Sequence, residues 1–201
     1  MTGTRAKLAF FDDLAGRWDA MEKSDILEQI NSVLSTWSLE PSEQVLDAGC
    51  GTGNSTKALL ALLGPEGRVH ALDPSSEMLA RAREKNPDPR VSWHQAWLER
   101  MPLRDGSIDR ASCMSMWPHV DDVSAALREL RRVLRPGGRL HIWHLLSRER
   151  INAIHAHAGE AVRGDVLPEA TVLAAQLQRE GWQLELVQDE QRYQLIARRP
   201  D

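Results

Sequence analysis

Residues Val45 to Thr56, "VLDAGCGTGNST", place Gly49, Gly51 and Gly53 directly behind an apolar run. Few sequences narrow the choice of fold as much. The apolar run predicts a short buried strand, the glycines a tight turn whose backbone N–H groups can come close to a ligand, and Asn54 and Ser55 the start of a helix. A helix N-terminus in that position favours negative charge. In an open sheet built from alternating strands and helices, ligands sit at the carboxyl ends of the strands where the strand order reverses. This loop therefore predicts the binding rim.

The rest of the chain continues the alternation. Apolar positions Ile26, Leu27, Ile30, Val33, Leu34 and Trp37 recur at helical spacing, with Ser24 as the expected N-cap and Pro41 beyond the end. Strands are expected at Gln44–Ala48, Arg68–Leu72, Val91–Gln95, Ile108–Met114 and Arg139–Trp143, and helices at Ser55–Leu63 and behind Ser75. The stripe of Val123, Ala126, Leu127, Leu130, Val133 and Leu134 predicts a helix that "RPGG" at Arg135–Gly138 stops. After an irregular His-rich stretch, Pro168 is expected to start a last helix ending at Gly181, followed by strands at Trp182–Val187 and Tyr193–Ala197. The closing pair, joined by a short polar connection, requires a strand of opposite direction. The expected fold is α/β: a doubly wound, mostly parallel seven-stranded sheet with one antiparallel strand and helices on both faces. At 201 residues it forms a single domain over 1–201, with residues 149–201 supplying the C-terminal helix and closing strands.

Composition excludes several roles. The net charge of −4 and the lack of a long Lys/Arg run argue against a nucleic-acid partner. Arg128, Arg131, Arg132 and Arg135 read as the wet face of a helix. No apolar run approaches eighteen residues and no basic-then-apolar leader opens the chain, so a cytoplasmic protein without a membrane span is expected. Cys50 and Cys113 read as small buried side chains, not redox partners or ligands.

The glycine loop lacks the third glycine of a dinucleotide fingerprint: from Gly49 the sixth residue is Asn54, and from Gly51 it is Thr56. That disfavours a nicotinamide oxidoreductase. The pattern is instead Asp-x-Gly-x-Gly-x-Gly with Asp47 ending the first strand and Asp73 ending the second, where a carboxylate can accept from both hydroxyls of a ribose.

Together with "ALDPSSEMLARAR", "MPLRDGSIDR" and "ALRELRRVLRPGGRL" in that order, the loop resembles the class I S-adenosylmethionine-dependent methyltransferases, in the small-molecule branch similar to the ubiquinone/menaquinone methyltransferases. The likeness covers about residues 10 to 145. It implies that S-adenosylmethionine is the cofactor, that Asp47 and the backbone of Gly49, Gly51 and Gly53 face its amino-acid end, and that Asp73 holds the ribose. Met78 then lies against the adenine or is plain core. Gln95 stands where the family has an acid that bonds the adenine amine, Ala96 offers its N–H to the ring, Trp97 stacks, and Met114 completes the cofactor side. "FFDDLAGRWDAM" resembles the cap that such enzymes fold over the cofactor, and residues 1–38 are taken as a helical cap segment whose aromatics either close a mobile lid or dock a helix.

Methyl transfer from a sulfonium is an in-line displacement, so the protein chiefly aligns the partners and excludes water. A base is required only where the acceptor must lose a proton. In "MWPHV", Trp117 and Pro118 replace the first histidine of a pair common in the family and His119 keeps the second; His144 ends the fifth strand on the same rim. These two histidines are the candidate catalytic residues. Phe11, Trp18, Trp117 and His155 are candidates for an acceptor pocket in a chain whose Trp18, Trp93, Trp97, Trp117 and Trp143 fall near strand ends or the cap. His155 and His157 point roughly 200° apart on a helix, so no metal site is expected. The expected function is methyl transfer to a small-molecule acceptor in a closed, Trp-lined pocket of a monomer or homodimer. The alternative is a non-catalytic regulator that binds S-adenosylmethionine or S-adenosylhomocysteine, which the Gln95 and "MWPH" departures keep open.

Overall fold

The computed structural model describes residues 2–201; Met1, the first residue of the expected cap, lies outside them. Seven strands, β1 (Gln44–Ala48), β2 (Arg68–Asp73), β3 (Val91–Gln95), β4 (Ile108–Met114), β5 (Leu134–His144), β6 (Gln183–Asp189) and β7 (Tyr193–Arg198), form one sheet in the order β3-β2-β1-β4-β5-β7-β6. β7 runs antiparallel to both its neighbours, and the pairs among the first five strands are parallel. The direction of winding reverses between β1 and β4, so the glycine loop emerges at the switch point.

Among the described residues eight α-helices flank the sheet: α1 (Thr2–Leu14), α2 (Trp18–Met21), α3 (Ile26–Leu34), α4 (Asn54–Leu62), α5 (Ser76–Lys85), α6 (Val123–Val133), α7 (Arg148–His157) and α8 (Ala170–Arg179). Adjacent strand residues face opposite ways. Val45 and Val69 therefore pack with Ile30, Val33 and Leu34 of α3 and Leu59 of α4, whereas Leu46 and Leu72 join the core with Leu127 and Leu130 of α6 and Leu173 and Leu177 of α8. Each fully buried leucine contributes roughly 1.5–3 kcal/mol relative to its exposed state. α6 starts where the Asp122 carboxylate accepts from the Ala125 N–H at 2.9 Å, and α5 where Ser75 Oγ accepts from the Met78 N–H at 3.1 Å. At the amino ends of the strands, Arg110 donates from Nε and Nη2 to the two oxygens of Glu43, both at 2.8 Å and buried.

Several expectations change. α6 ends at Val133, just ahead of "RPGG", but Leu134 leaves the helix and the "RPGG" segment belongs to β5, as an insertion that shifts the register between Ile108↔Leu134 and Arg110↔Arg139. Ser24 is not the cap of α3; Asp25 occupies that position. The His-rich stretch is not irregular throughout, because α7 runs through it, and the last helix begins at Ala170, two residues past Pro168. The expected cap segment divides: α1 and α2 pack Phe10, Phe11, Leu14 and Trp18 around Met78, while α3 belongs to the sheet's own core. Among the described residues no helix is long and apolar enough to cross a membrane.

Candidate active site

The glycine loop is shaped from below. Asp47 is fully buried behind it and accepts from Ser55 Oγ at 2.7 Å and Thr56 Oγ1 at 2.6 Å, tying the first turn of α4 to the end of β1. Burial pushes this carboxyl up to about 6, against the pull of the two hydroxyls. Gly49, Gly51 and Gly53 all have positive φ. A Cβ on Gly49 would lie 2.6 Å from the Met116 side chain and one on Gly53 2.6 Å from Asn86 Nδ2, whereas a Cβ on Gly51 would meet nothing within 4 Å. The loop is closely packed at its two ends and open at its middle.

That open middle faces a cavity of about 1100 Å3, its mouth included. Asp73, ending β2, lines it and accepts from the Gly51 N–H and the Ser75 N–H, both at 2.9 Å. Each oxygen keeps a second lone pair for a ligand. Burial, reinforced by Asp47 and Asp12, raises its carboxyl to about 6 despite the two backbone donors. Leu8, Phe11, Trp18, Met78, Trp97, Leu98, Met114, Met116 and Val120 supply apolar wall.

The cap is fastened to this cradle by its acids. Asp12 accepts from Ser75 Oγ at 2.5 Å, Asp19 from Thr52 Oγ1 at 2.5 Å and from Lys85 Nζ at 2.7 Å, and Glu22 from Asn54 Nδ2. Glu22 also lines the cavity and accepts from Trp18 Nε1; its burial raises its carboxyl above the ordinary range.

His119, in the short 3-10 turn Trp117–His119 that follows β4, faces the same cavity. Its Nδ1 lies 2.7 Å from Asp165 Oδ2, its ring 4.9 Å from the Phe11 ring in an edge-on contact and 4.9 Å from the His155 ring. Ser115 on the cavity wall adopts φ +54, a left-handed backbone uncommon outside glycine.

The sequence-predicted residues thus separate. Gly49, Gly51, Asp73, Met78, Trp97, Met114, Phe11, Trp18 and His119 line one cavity; Asp47, Gly53, Gln95, Ala96, Trp117, His144 and His155 do not. Gly53 caps α4, and its carbonyl accepts from Asn86 Nδ2. Gln95 is exposed and donates to the Pro74 carbonyl, and the Ala96 N–H is already given to the Asp73 carbonyl at 3.3 Å. Neither lines the cavity. Trp117 is buried in the core beneath the 3-10 turn, and Trp143 donates to Ser112 Oγ inside the sheet, so of the five candidate tryptophans only Trp18 and Trp97 reach the cavity. His144 is 1% exposed, edge-on to Tyr193, with neither ring nitrogen partnered; burial, with His119 and His155 nearby, pushes it down to about 3. It is an interior residue, not a rim residue. His155 sits behind His119 and donates from Nδ1 to the Asp165 carbonyl. His157, on the same helix, turns to the Ala153 carbonyl, and among the described residues no group of three or more His, Cys, Asp or Glu is arranged around a metal position. Lys7, Glu22, Ser115 and Met116 line the cavity and Asp165 pairs with His119, and motif reading misses all five. The helical spacing of Lys7 and Phe11, and of Trp18 and Glu22, is the one local signal that links any of them to predicted residues.

Comparison with known proteins accords with this geometry. A family profile described as a methyltransferase domain matches residues 46–142. The ubiquinone/menaquinone biosynthesis C-methyltransferase UbiE of Hahella chejuensis is 33% identical over 176 residues, 83% of this chain and 69% of that one. An uncharacterized 37.1 kDa protein in transposon Tn4556 of Streptomyces fradiae is 40% identical over 124 residues, 61% of this chain and 36% of that one. The crystal structure of an S-adenosylmethionine-dependent methyltransferase from Aquifex aeolicus has the same fold, with a TM-score of 0.75 at 22% identity over 92% of this chain and 97% of that one. The chain belongs to the class I S-adenosylmethionine-dependent methyltransferases, in the branch of the ubiquinone/menaquinone enzymes. It spans 36% of the transposon protein's length and 69% of the Hahella enzyme's.

Proposed function

We propose that this chain transfers a methyl group from S-adenosylmethionine to a small, apolar, hydroxyl-bearing aromatic acceptor, with His119 taking the acceptor's proton. One observation carries the reading: a single cavity has the glycine loop and Asp73 on one wall and a carboxylate-paired histidine among apolar side chains on another. The donor fits the residues present. A cradle open at Gly51 admits a polar chain end against bare backbone, Asp73 has lone pairs for two hydroxyls, and Glu22 offers a carboxylate to a cationic group.

When bound, S-adenosylmethionine supplies an activated methyl group on a sulfonium. The protein's own share is positioning, drying the site and accepting a proton. Phe11, Trp18, Leu8, Met114 and Met116 bury the acceptor's ring and keep water from the reacting atoms. His119 Nε2 receives the proton of the acceptor's hydroxyl, and the electron pair of that O–H bond stays on the acceptor, activating its oxygen or the conjugated ring carbon. Quinols, the reduced hydroxyl-bearing form of quinones, have this chemistry, and the Hahella relative is named for ubiquinone/menaquinone biosynthesis. The Gln95 departure that favours a non-catalytic regulator loses weight, because that side chain does not line the cavity.

Calorimetry with S-adenosylmethionine, S-adenosylhomocysteine and NAD, followed by a labelled-methyl screen over phenols, quinols, thiols and amines, tests the proposal. Binding of the sulfur ligands and transfer to a phenol or quinol is the expected result. Tight NAD binding with no response to the sulfur ligands would overturn it, and binding without transfer to any acceptor would turn the assignment to regulation.

A further inference from the structure

Asp165 lies in the connection between α7 and α8, where neither a helix nor a strand fixes its side chain, yet it is 9% exposed and both its oxygens are engaged. Oδ2 takes His119 Nδ1 at 2.7 Å and Oδ1 takes Lys7 Nζ at 2.8 Å. The same Lys7 ammonium reaches Asp121 Oδ1 at 2.7 Å, and Asp121 Oδ2 accepts from Thr4 Oγ1 at 2.6 Å. Thr4, Lys7 and Phe11 recur on one face of α1, so a single stripe of the cap meets Asp121, Asp165 and the His119 ring. From the other side His155 Nδ1 donates to the backbone carbonyl of Asp165 at 2.8 Å.

We infer that Asp165 is a positioning residue for His119, and that Lys7 of the cap helix holds Asp165 in place so that Nε2 of the imidazole faces the cavity as a proton acceptor. The inference rests on the reading of His119 as the base. An ionised carboxylate only accepts, so the hydrogen of the neutral ring must sit on Nδ1, and the lone pair falls on Nε2. The charges agree with that task. With a neutral imidazole, Asp121, Asp165 and Lys7 leave one negative charge in excess; the proton that arrives from the acceptor cancels it. The second oxygen of Asp165 makes the arrangement depend on the cap. Without Lys7 the loop carboxylate has one tether fewer, and a one-bond side chain on a loop rotates away from the ring.

The test reads the tautomer and the turnover separately. In protein labelled with 15N-histidine, at alkaline pH where the imidazoles are neutral, long-range proton–nitrogen spectra are expected to show His119 as the Nδ1–H form. In Asp165→Asn the amide can donate to Nδ1, and the ring is expected to pass to the Nε2–H form; in Lys7→Met a mixture is expected. With an acceptor in hand, kcat of Asp165→Asn is expected to fall by about 10²–10⁴-fold, with KM for donor and acceptor within about twofold of the parent, and Lys7→Met to fall less. An Nε2–H tautomer in the parent protein overturns the inference without any variant being needed, which covers the case of a variant that does not fold. So does an unchanged tautomer in a folded Asp165→Asn. If the tautomer switches as expected but no acceptor is ever methylated, the positioning role stands and the catalytic reading of the site falls.

Discussion

Gly51 and Gly53 have the same left-handed backbone, with φ +51 and +86, but opposite surroundings, and alanine at each should therefore fail differently. A Cβ in that region costs about 1–2 kcal/mol wherever it stands. At Gly51 nothing lies within 4 Å, so that strain is the whole effect on stability. At Gly53 the added carbon would come within 2.6 Å of Asn86 Nδ2 and 3.1 Å of Ala82 Cβ, and overpacking of that kind adds about 1–3 kcal/mol. For a chain of this length each kcal/mol lowers Tm by about 2–4 °C, so Gly53→Ala should melt roughly 2–12 °C below Gly51→Ala. Binding should show the reverse order. The Gly51 methyl projects into the cavity, and calorimetric affinity for S-adenosylhomocysteine should drop at least about tenfold, the loss expected when a well-placed backbone contact is blocked. Gly53→Ala, once folded, should retain most of its affinity. Wild-type affinity in Gly51→Ala would refute the assignment of the open middle of the loop to the donor, and equal melting of the two variants would refute the packing difference drawn between the two positions.

Other outcomes follow from the buried ionisable groups. Asp73 must be ionised to accept best from ribose hydroxyls, and its carboxyl is raised to about 6, so donor affinity should be full above that pH and fall below it, approaching tenfold per unit. Asp73→Asn should bind more weakly and lose this dependence; a flat affinity for the parent between about pH 7.5 and about pH 5 would refute the link. His144 is depressed to about 3 in the fold, so below its ordinary pH range the unfolded chain takes up a proton that the folded chain refuses. The stability of the parent relative to His144→Leu should therefore decline by up to about 1.4 kcal/mol per pH unit below about 6.5, measured by urea unfolding, while kcat/KM is unchanged near neutral pH. Glu43→Gln leaves the buried Arg110 guanidinium with a neutral partner and should lower stability by about 3–5 kcal/mol without altering donor affinity, since the pair lies at the amino ends of the strands.

Six of the seven strands are legible to within two residues because apolar runs bounded by Gly, Pro or Asp leave little freedom in where they start and stop; β5 is the exception, beginning at Leu134 and running through "RPGG", which reads as a turn. α7 was not. It buries no residue fully, so the periodic stripe that reveals α6 is missing from it. The cavity wall is readable where chemistry and chain position coincide, as at Gly51 and Asp73, which both line it. Gln95 and Ala96 lie off that wall, and the end of a strand does not tell which face a side chain takes or which N–H is already used. His144 failed for a related reason: a place at the carboxyl end of β5 says nothing of Tyr193, which arrives from the antiparallel strand and covers it. Asp165 and Lys7 lie 46 and 112 positions from His119 in the chain, and no local pattern marks either as its companion.

Asp47 never reaches the cavity, but its bonds to Ser55 and Thr56 have a consequence for how the donor is recognised. With Asp73 holding the Gly51 amide and Asn86 holding the Gly53 carbonyl, the loop is stapled from three directions before any ligand arrives. The entropy of ordering it is lost at folding and not at binding, so the donor meets a preorganised cradle and its affinity is not diminished by loop closure. The cap, by contrast, is joined to that base by side chains alone, Asp12 to Ser75, Asp19 to Thr52 and Lys85, and Glu22 to Asn54, so its order rests on contacts other than the backbone staples of the loop.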